Sequence, residues 1–326
     1  MKTKAIVFRA ANTPTLEELD IPALAPDEVR VRVQFSGVSI GTESSIFSGV
    51  RTHNGTFPLV GGYMASGVID ELGPEVKGLN AGDRVVACGV RLAGGVTSVW
   101  GGHSSMQVVK ARGVTRIPDG AEMAHAAMYV MPGVGLNAAN MAEVKMTDTV
   151  LIQGQGLIGQ LCGQWCRNRG AKVIAIEPDP RRAGLSRKYV TANVIDPTTE
   201  NVEARVAELT GGKGPTVVVE ATASAKFIDN ATRFLRPGGR MVFLSWYPGH
   251  ISIDFAHFHN NQITAFFPTG SGGDAATQAT LWALANGTIR MDGNITDTVP
   301  YTDACRGYER LIAGDRSVMG MVIDWR

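Results

Sequence analysis

The sequence predicts an α/β protein of two domains, one β-rich and one built on a doubly wound parallel sheet. Three observations carry this reading. An apolar run, Val150-Leu151-Ile152, ends in Gly154-Gln155-Gly156-Leu157-Ile158-Gly159 and leads into a helical pattern. From about residue 126 onward, strand and helix patterns alternate, which implies parallel strands joined by crossover helices. Before that point apolar residues recur with period two, as half-buried strands require.

The elements follow in chain order. Lys4-Ala5-Ile6-Val7-Phe8 reads as a strand rather than a signal peptide. Val29-Arg30-Val31-Arg32-Val33-Gln34-Phe35 alternates apolar and polar along its length. Residues 67–73 read as a strand running into a turn, 82–87 as a turn followed by a strand, and 101–109 as a further strand. Parallel strands are expected at 149–153, 172–176, 216–220 and 240–245, the last behind the turn Arg236-Pro237-Gly238-Gly239. A glycine-rich loop at 270–273, a helix over about 275–285 and a final strand at 319–324 close the chain. The expected β-rich domain is 1–130 with 267–326, and the sheet domain 131–266.

A strand feeding a glycine turn and then a helix N-terminus offers a site for a pyrophosphate. The glycines allow a tight turn and close backbone approach, and the helix dipole favours the negative charge. Gly154, Gly156, Leu157, Ile158 and Gly159 are therefore candidate dinucleotide contacts. A second apolar run, 171–176, ends at Glu177, close to the expected ~20 residues beyond the glycines. A carboxylate there accepts hydrogen bonds from the adenosine ribose and repels a 2′-phosphate, so NAD is expected over NADP. Arg181 and Arg182 lie just beyond and suit a 2′-phosphate; Arg182 is kept as a candidate contact. Thr222 and Ser245 end two strands and are expected at the adenine and nicotinamide riboses, and Asn137 on the nicotinamide side.

Composition narrows the class. The chain has 326 residues, 44% hydrophobic and 19% charged, with a net charge of +1. Lys and Arg are scattered, which argues against a nucleic-acid or membrane surface. No apolar run reaches ~18 residues. The four cysteines, Cys88, Cys162, Cys166 and Cys305, show no metal spacing, and Cys162 and Cys166 read as packing residues four apart on one helix. A reducing, cytoplasmic setting is expected.

The order of these segments resembles the medium-chain dehydrogenase/reductase superfamily over nearly the whole chain. Pro58-Leu59-Val60-Gly61-Gly62-Tyr63-Met64-Ala65-Ser66-Gly67-Val68-Ile69 is similar to its P-x-x-x-G-H-E-x-x-G-x-V stretch. Residues 73–85, ending Gly82-Asp83-Arg84-Val85, resemble its strand-turn-strand, and 235–242 its approach to the nicotinamide-side strand. The resemblance implies a GroES-like catalytic domain and a Rossmann domain. It also implies a homodimer or homotetramer formed through an edge strand, for which 263–267 is the candidate.

The departures carry as much information. Zinc members of the superfamily bind the metal through a Cys, a His-Glu pair and a later Glu or Cys. Here those positions read Ser39, Tyr63-Met64 and Met131, and zinc requires thiolate, imidazole or carboxylate. The structural-zinc lobe is missing too, since only one cysteine lies between Val85 and Gly101. A zinc-independent enzyme is expected. Ser36-Gly37-Val38-Ser39-Ile40-Gly41-Thr42-Glu43 resembles the signature of a branch that includes the bacteriochlorophyllide (hydroxyethyl) dehydrogenases, although Met64 departs from the Glu usual there.

Hydride transfer belongs to the nicotinamide; the protein positions the carbinol carbon and handles a proton. Without zinc, developing alkoxide charge needs hydrogen-bond donors. Tyr63, Thr42 and Ser39 are the candidates, with Tyr63 first as acid/base. Glu43 is expected to pair with a cation and hold its loop, with a general-base role as the alternative. His103 is a further site candidate. Trp100, Trp246, Tyr247, His250 and Phe266 are candidates to line the substrate pocket, with core packing the competing role for each aromatic.

The expected function is hydride transfer between NAD(H) and a secondary alcohol or ketone, such as a polyol, sugar or ring-bearing small molecule. The alternatives are an NADPH-dependent enoyl or quinone reductase, and a nucleotide-binding protein that has lost its chemistry.

Overall fold

The computed structural model describes residues 1–50, 56–93, 95–247 and 249–326. The chain forms two compact units. The first comprises residues 1–129, 281–287 and 291–326, and the second 130–280 with 288–290.

In the first unit the long strand Glu28–Val38 is the organiser. Its apolar alternation buries Val29, Val31 and Val33, and it pairs antiparallel with Ala65–Leu72, Met106–Lys110 and the C-terminal strand Met321–Asp324. Arg84–Ala87, Val114–Arg116 and Asp297–Pro300 extend this sheet. A second sheet orders Pro14–Asp20, Lys2–Phe8, Leu59–Val60 and Thr97–Ser98. Neither two-residue strand of that sheet has a period long enough to read from sequence. Phe8 stacks on Phe47 with ring centroids 3.5 Å apart, and Tyr308 meets both rings edge-on. This core places helix Ile40–Phe47 against the sheet.

In the second unit six parallel strands run in the order Val194–Ile195, Lys172–Ile176, Thr149–Gln153, Val217–Glu220, Arg240–Phe243, Thr264–Phe266 among the described residues. That is the doubly wound order with its reversal beside the first strand, where ligands bind at the carboxyl ends. The strands are buried on both faces, so they read as continuous apolar runs. Val150, Ile152, Val217 and Val219 face Ala138, Ala139, Cys162 and Cys166; Leu151, Ile174 and Val218 face Val206, Ile228 and Ala231. Each such fully buried Val, Leu or Ile contributes roughly 1.5–3 kcal/mol. Cys162 and Cys166 are thus packing groups, and the hydrogen-bonding contact with Cys166, with burial second, pushes the Cys162 thiol well up.

The return to the first unit comes later than the boundary expected at 266. Residues 267–280 stay with the dinucleotide unit because the loop before helix Gly273–Ala285 docks on helix Val130–Met141. The Asn137 amide donates to the Thr269 and Gly270 carbonyls at 3.1 and 3.2 Å, and Gly133 leaves room for Ser271.

Candidate active site

The nucleotide cradle is built from strand Thr149–Gln153, the glycine turn and helix Leu157–Asn168. Its three glycines do different work. Gly154 sits at φ +93°, where an L side chain is strained, and a Cβ there would lie 3.0 Å from the Ala221 carbonyl. At Gly159 a Cβ would lie 2.1 Å from the Gly154 carbonyl oxygen, so this glycine lets the helix close on the turn. At Gly156, the helix N-cap, a Cβ would meet nothing within 4 Å. The space beside the start of helix Leu157–Asn168 is therefore open at Gly156, and a helix N-terminus is a place where an anion can bind.

Glu177 stands at the end of strand Lys172–Ile176, 4% exposed. Its two oxygens accept from the Gln155 N–H at 2.8 Å and the Asp179 N–H at 2.9 Å, which fixes the carboxylate against the glycine turn. Each oxygen has a second lone pair, so the group retains capacity for ribose hydroxyls. Arg182 lies in the helix that Asp179 caps, and its carbonyl accepts from the Gln160 amide at 2.8 Å. Sequence reasoning passed over Gln155 and Gln160, both 0% exposed, which link the turn to Ser186.

At the carboxyl edge of the sheet, Thr222 and Ser245 each stand two residues beyond the end of a strand. The Thr222 N–H and hydroxyl both donate to Glu220, and the Ser245 hydroxyl accepts from the Ala223 N–H at 3.0 Å. Burial pushes the Glu220 carboxyl above its ordinary range, against the pull of those Thr222 bonds, and its second oxygen has no partner among the described residues. Asn137, expected beside the nicotinamide, clamps the 269–270 loop with its side-chain N–H groups. Tyr247 and Phe266, expected in the substrate pocket, pack on the two cores of the sheet domain, Phe266 as the last residue of strand Thr264–Phe266 and Tyr247 from the segment after strand Arg240–Phe243. Trp246, 42% exposed, and the exposed His250 stand at the surface beyond strand Arg240–Phe243.

The first unit brings together residues 36–43, 61–64 and 100–103. The Gly37 N–H bonds the Met64 carbonyl at 3.0 Å, and the Gly102 and His103 N–H groups bond the Gly62 and Gly61 carbonyls. Gly61 and Gly62 are needed for this layering. A Cβ at 61 would strike the Phe47 ring at 2.6 Å, and one at 62, where φ is +87°, would strike the His103 ring at 2.7 Å. Tyr63 is half-buried, with Trp100 edge-on at 5.3 Å. Thr42 is half-buried on the first turn of helix Ile40–Phe47, and Ser39 is its N-cap residue.

His103 was expected near the chemistry, and the structure seals it away against Glu43, which is sealed too and holds its own loop as expected, leaving the alternative general-base role without access to substrate. His103 is 0% exposed and Glu43 1%. The Glu43 carboxylate accepts from the Ser39 N–H at 2.8 Å, the Tyr308 hydroxyl at 2.8 Å and His103 Nε2 at 2.7 Å. His103 Nδ1 meets the Ser36 hydroxyl at 2.9 Å, which also accepts from the Trp325 indole at 2.9 Å. Every polar atom of the two side chains has a partner, and burial keeps both from a substrate. Ser36, Tyr308 and Trp325 gave no signal in sequence, because they lie up to 289 positions from their partners.

The zinc-ligand positions of the superfamily are a poor fit for a metal. Met64 is 0% exposed, and a Cβ on Gly37 would lie 3.2 Å from its Cγ and 2.5 Å from the Met128 sulfur. Met131, in the second unit, is buried as well. Thioethers and a serine hydroxyl are not the donor set zinc takes, and the adjacent carboxylate, Glu43, is already engaged by three donors.

Two family models match. The alcohol dehydrogenase GroES-like domain covers residues 25–119, and the zinc-binding dehydrogenase domain covers 158–285. A relative named "Probable D-xylulose reductase A", from Arthroderma otae, is 26% identical over 96% of this chain and 95% of its own length. L-threonine 3-dehydrogenase of Pyrococcus abyssi is 28% identical over 78% of this chain and 77% of its own. Among solved structures, an Escherichia coli oxidoreductase/dehydrogenase of unknown specificity superposes with a TM-score of 0.90 at 21% identity over 99% of each chain.

Proposed function

The chain belongs to the medium-chain dehydrogenase/reductase superfamily, of alcohol dehydrogenase type, and from that premise we propose that it is a zinc-independent, NAD-linked dehydrogenase of a secondary alcohol. Membership makes it an NAD(P)-dependent oxidoreductase. The relatives named for xylulose and threonine support a hydroxyl-bearing polyol, sugar-like or ring-bearing substrate.

When bound, the nicotinamide supplies or accepts the hydride. The rest falls to the chain. Gly156 and the first turn of helix Leu157–Asn168 hold the pyrophosphate, and Gly154 and Gly159 shape the turn. The Glu177 carboxylate takes the ribose hydroxyls and repels a 2′-phosphate. Hydroxyls of Tyr63, Thr42 and Ser39 supply hydrogen bonds to the substrate oxygen, and Tyr63 moves the proton. Trp100 orients the Tyr63 ring by its edge-on contact.

The observation that carries the zinc-free reading is Met64, a fully buried thioether where the superfamily's zinc enzymes place a carboxylate. The test is metal analysis of the purified protein together with turnover of sugars, polyols and ring alcohols. Activity resistant to chelation, with kcat/KM for NAD at least roughly tenfold above NADP, about 1.4 kcal/mol of discrimination, is expected. Stoichiometric zinc overturns the zinc-free reading. Reduction of enones or quinones with NADPH alone moves the protein to the reductase alternative.

A further inference from the structure

The buried polar cluster of the first unit contains a donor-acceptor chain whose direction can be worked out. The Trp325 indole N–H is donor only, so the Ser36 oxygen accepts from it. Ser36 then has one hydrogen to place, and among the described residues its other partner is His103 Nδ1. Nδ1 is therefore an acceptor, and the ring hydrogen sits on Nε2, aimed at Glu43 at 2.7 Å. Tyr308 donates to the same carboxylate oxygen; burial and the Glu43 charge keep its phenol protonated. The other oxygen takes the Ser39 N–H, and the Ser39 carbonyl accepts from the Glu43 N–H at 2.8 Å. Every hydrogen in the chain runs toward one carboxylate, and that carboxylate grips the start of the helix bearing Thr42.

We propose that His103 is held as its Nε2–H tautomer and that His103, Tyr308 and Glu43 are positioning residues, fixing the N-terminus of helix Ile40–Phe47 and with it the Ser39 and Thr42 hydroxyls. This rests on the reading of those hydroxyls as donors to the substrate oxygen. Glu43 supplies the acceptor, His103 and Tyr308 restrain it from two sides, and Ser36 with Trp325 sets the ring orientation. None of the five touches substrate. The cluster spans the long central strand, the 100–103 segment, the helix Ala304–Ile312 and the C-terminal Trp325, so it ties the ends of the unit to its site.

The ring state is read by ¹⁵N NMR of the full chain labelled at its six histidines, with the His103 signals assigned by their loss in His103→Gln. An acceptor-type Nδ1 and a protonated Nε2 are expected. Two protonated nitrogens, or the reverse tautomer, overturn the chain. For positioning, His103→Phe is expected to lower kcat by roughly tenfold or more with the NADH dissociation constant unchanged. His103→Gln, which keeps an N–H toward Glu43, restores most of that loss. Equal kcat in the wild type and His103→Phe, or equal losses in Phe and Gln, overturns it. Should His103→Phe not fold, Tyr308→Phe carries the same comparison, with the same kcat loss expected and an unchanged kcat overturning the proposal. If the wild type turns over no secondary alcohol, the donor reading and the positioning role fail together, while the NMR arm still decides the tautomer.

Discussion

Single residues decide the cradle. Gly156 and Gly159 look alike in the sequence, yet one faces open space and the other a carbonyl oxygen 2.1 Å from where its Cβ would stand. Gly156→Ala should therefore fold with unchanged stability and bind NADH more weakly by roughly tenfold or more, since its methyl enters the pyrophosphate space. Gly159→Ala should lose stability by about 1–3 kcal/mol through overpacking. Thermal melts and fluorescence titration separate the two; equal melting-temperature losses would refute the assignment. The spacing of these glycines was legible in sequence because a tight turn needs them at fixed intervals. The fate of His103 was not, since a histidine after Gly101-Gly102 looks the same whether it faces a cleft or a sealed core.

At the scale of elements, the parallel sheet is tied at its lower end by Asp148. The carboxylate accepts from Thr216 at 2.7 Å and the Lys145 N–H at 2.8 Å, and pairs with Arg240, whose guanidinium also reaches the Ala142 and Glu143 carbonyls. Three strands and the end of a helix meet there. Burial alone would raise the Asp148 carboxyl, but these bonds outweigh it and hold the group below the usual carboxylate range. Its stabilisation is thus present above the ordinary aspartate pKa and is lost as pH falls through the depressed one. Asp148→Ala should cost about 2–4 kcal/mol at neutral pH, and the difference from wild type should shrink below about pH 4. Urea denaturation at several pH values checks both; a pH-independent difference contradicts the ionic account. The long strands were legible because apolar runs between turns have few other uses. The strand Val194–Ile195 and the clamp of Asn137 on residues 269–270 were not, because two residues carry no period and one amide reads equally as a cap.

At the scale of the molecule, strand Thr264–Phe266 ends the parallel sheet and leaves one side of its backbone unpaired among the described residues. Such an edge invites pairing. Phe267, 61% exposed, stacks on Phe243 beside it, which makes the edge more apolar. The prediction is a homodimer or homotetramer in solution, with Ala265→Pro shifting it toward monomer by removing a backbone donor from the edge, since the Thr264 N–H beside it is used inside the sheet on the Gly239 carbonyl. Size-exclusion chromatography with light scattering decides; a wild-type monomer at micromolar concentration rejects the idea.

Local chemistry was sufficient for much of this protein. Turn glycines, apolar periods and the residues at 39 and 63–64 act through their own backbone or side-chain type, so the chain alone determined two units, a glycine turn leading into a helix, and the residue types from which the proposed ribose contact and zinc-free site are read. Tertiary structure decided what depends on partners far apart in the chain. Glu43 acquires its role only when Tyr308 and His103 arrive, and the sheet domain keeps residues 267–280 only because a loop finds Asn137. Burial and hydrogen-bond satisfaction are properties of the folded neighbourhood, and no single segment contains them.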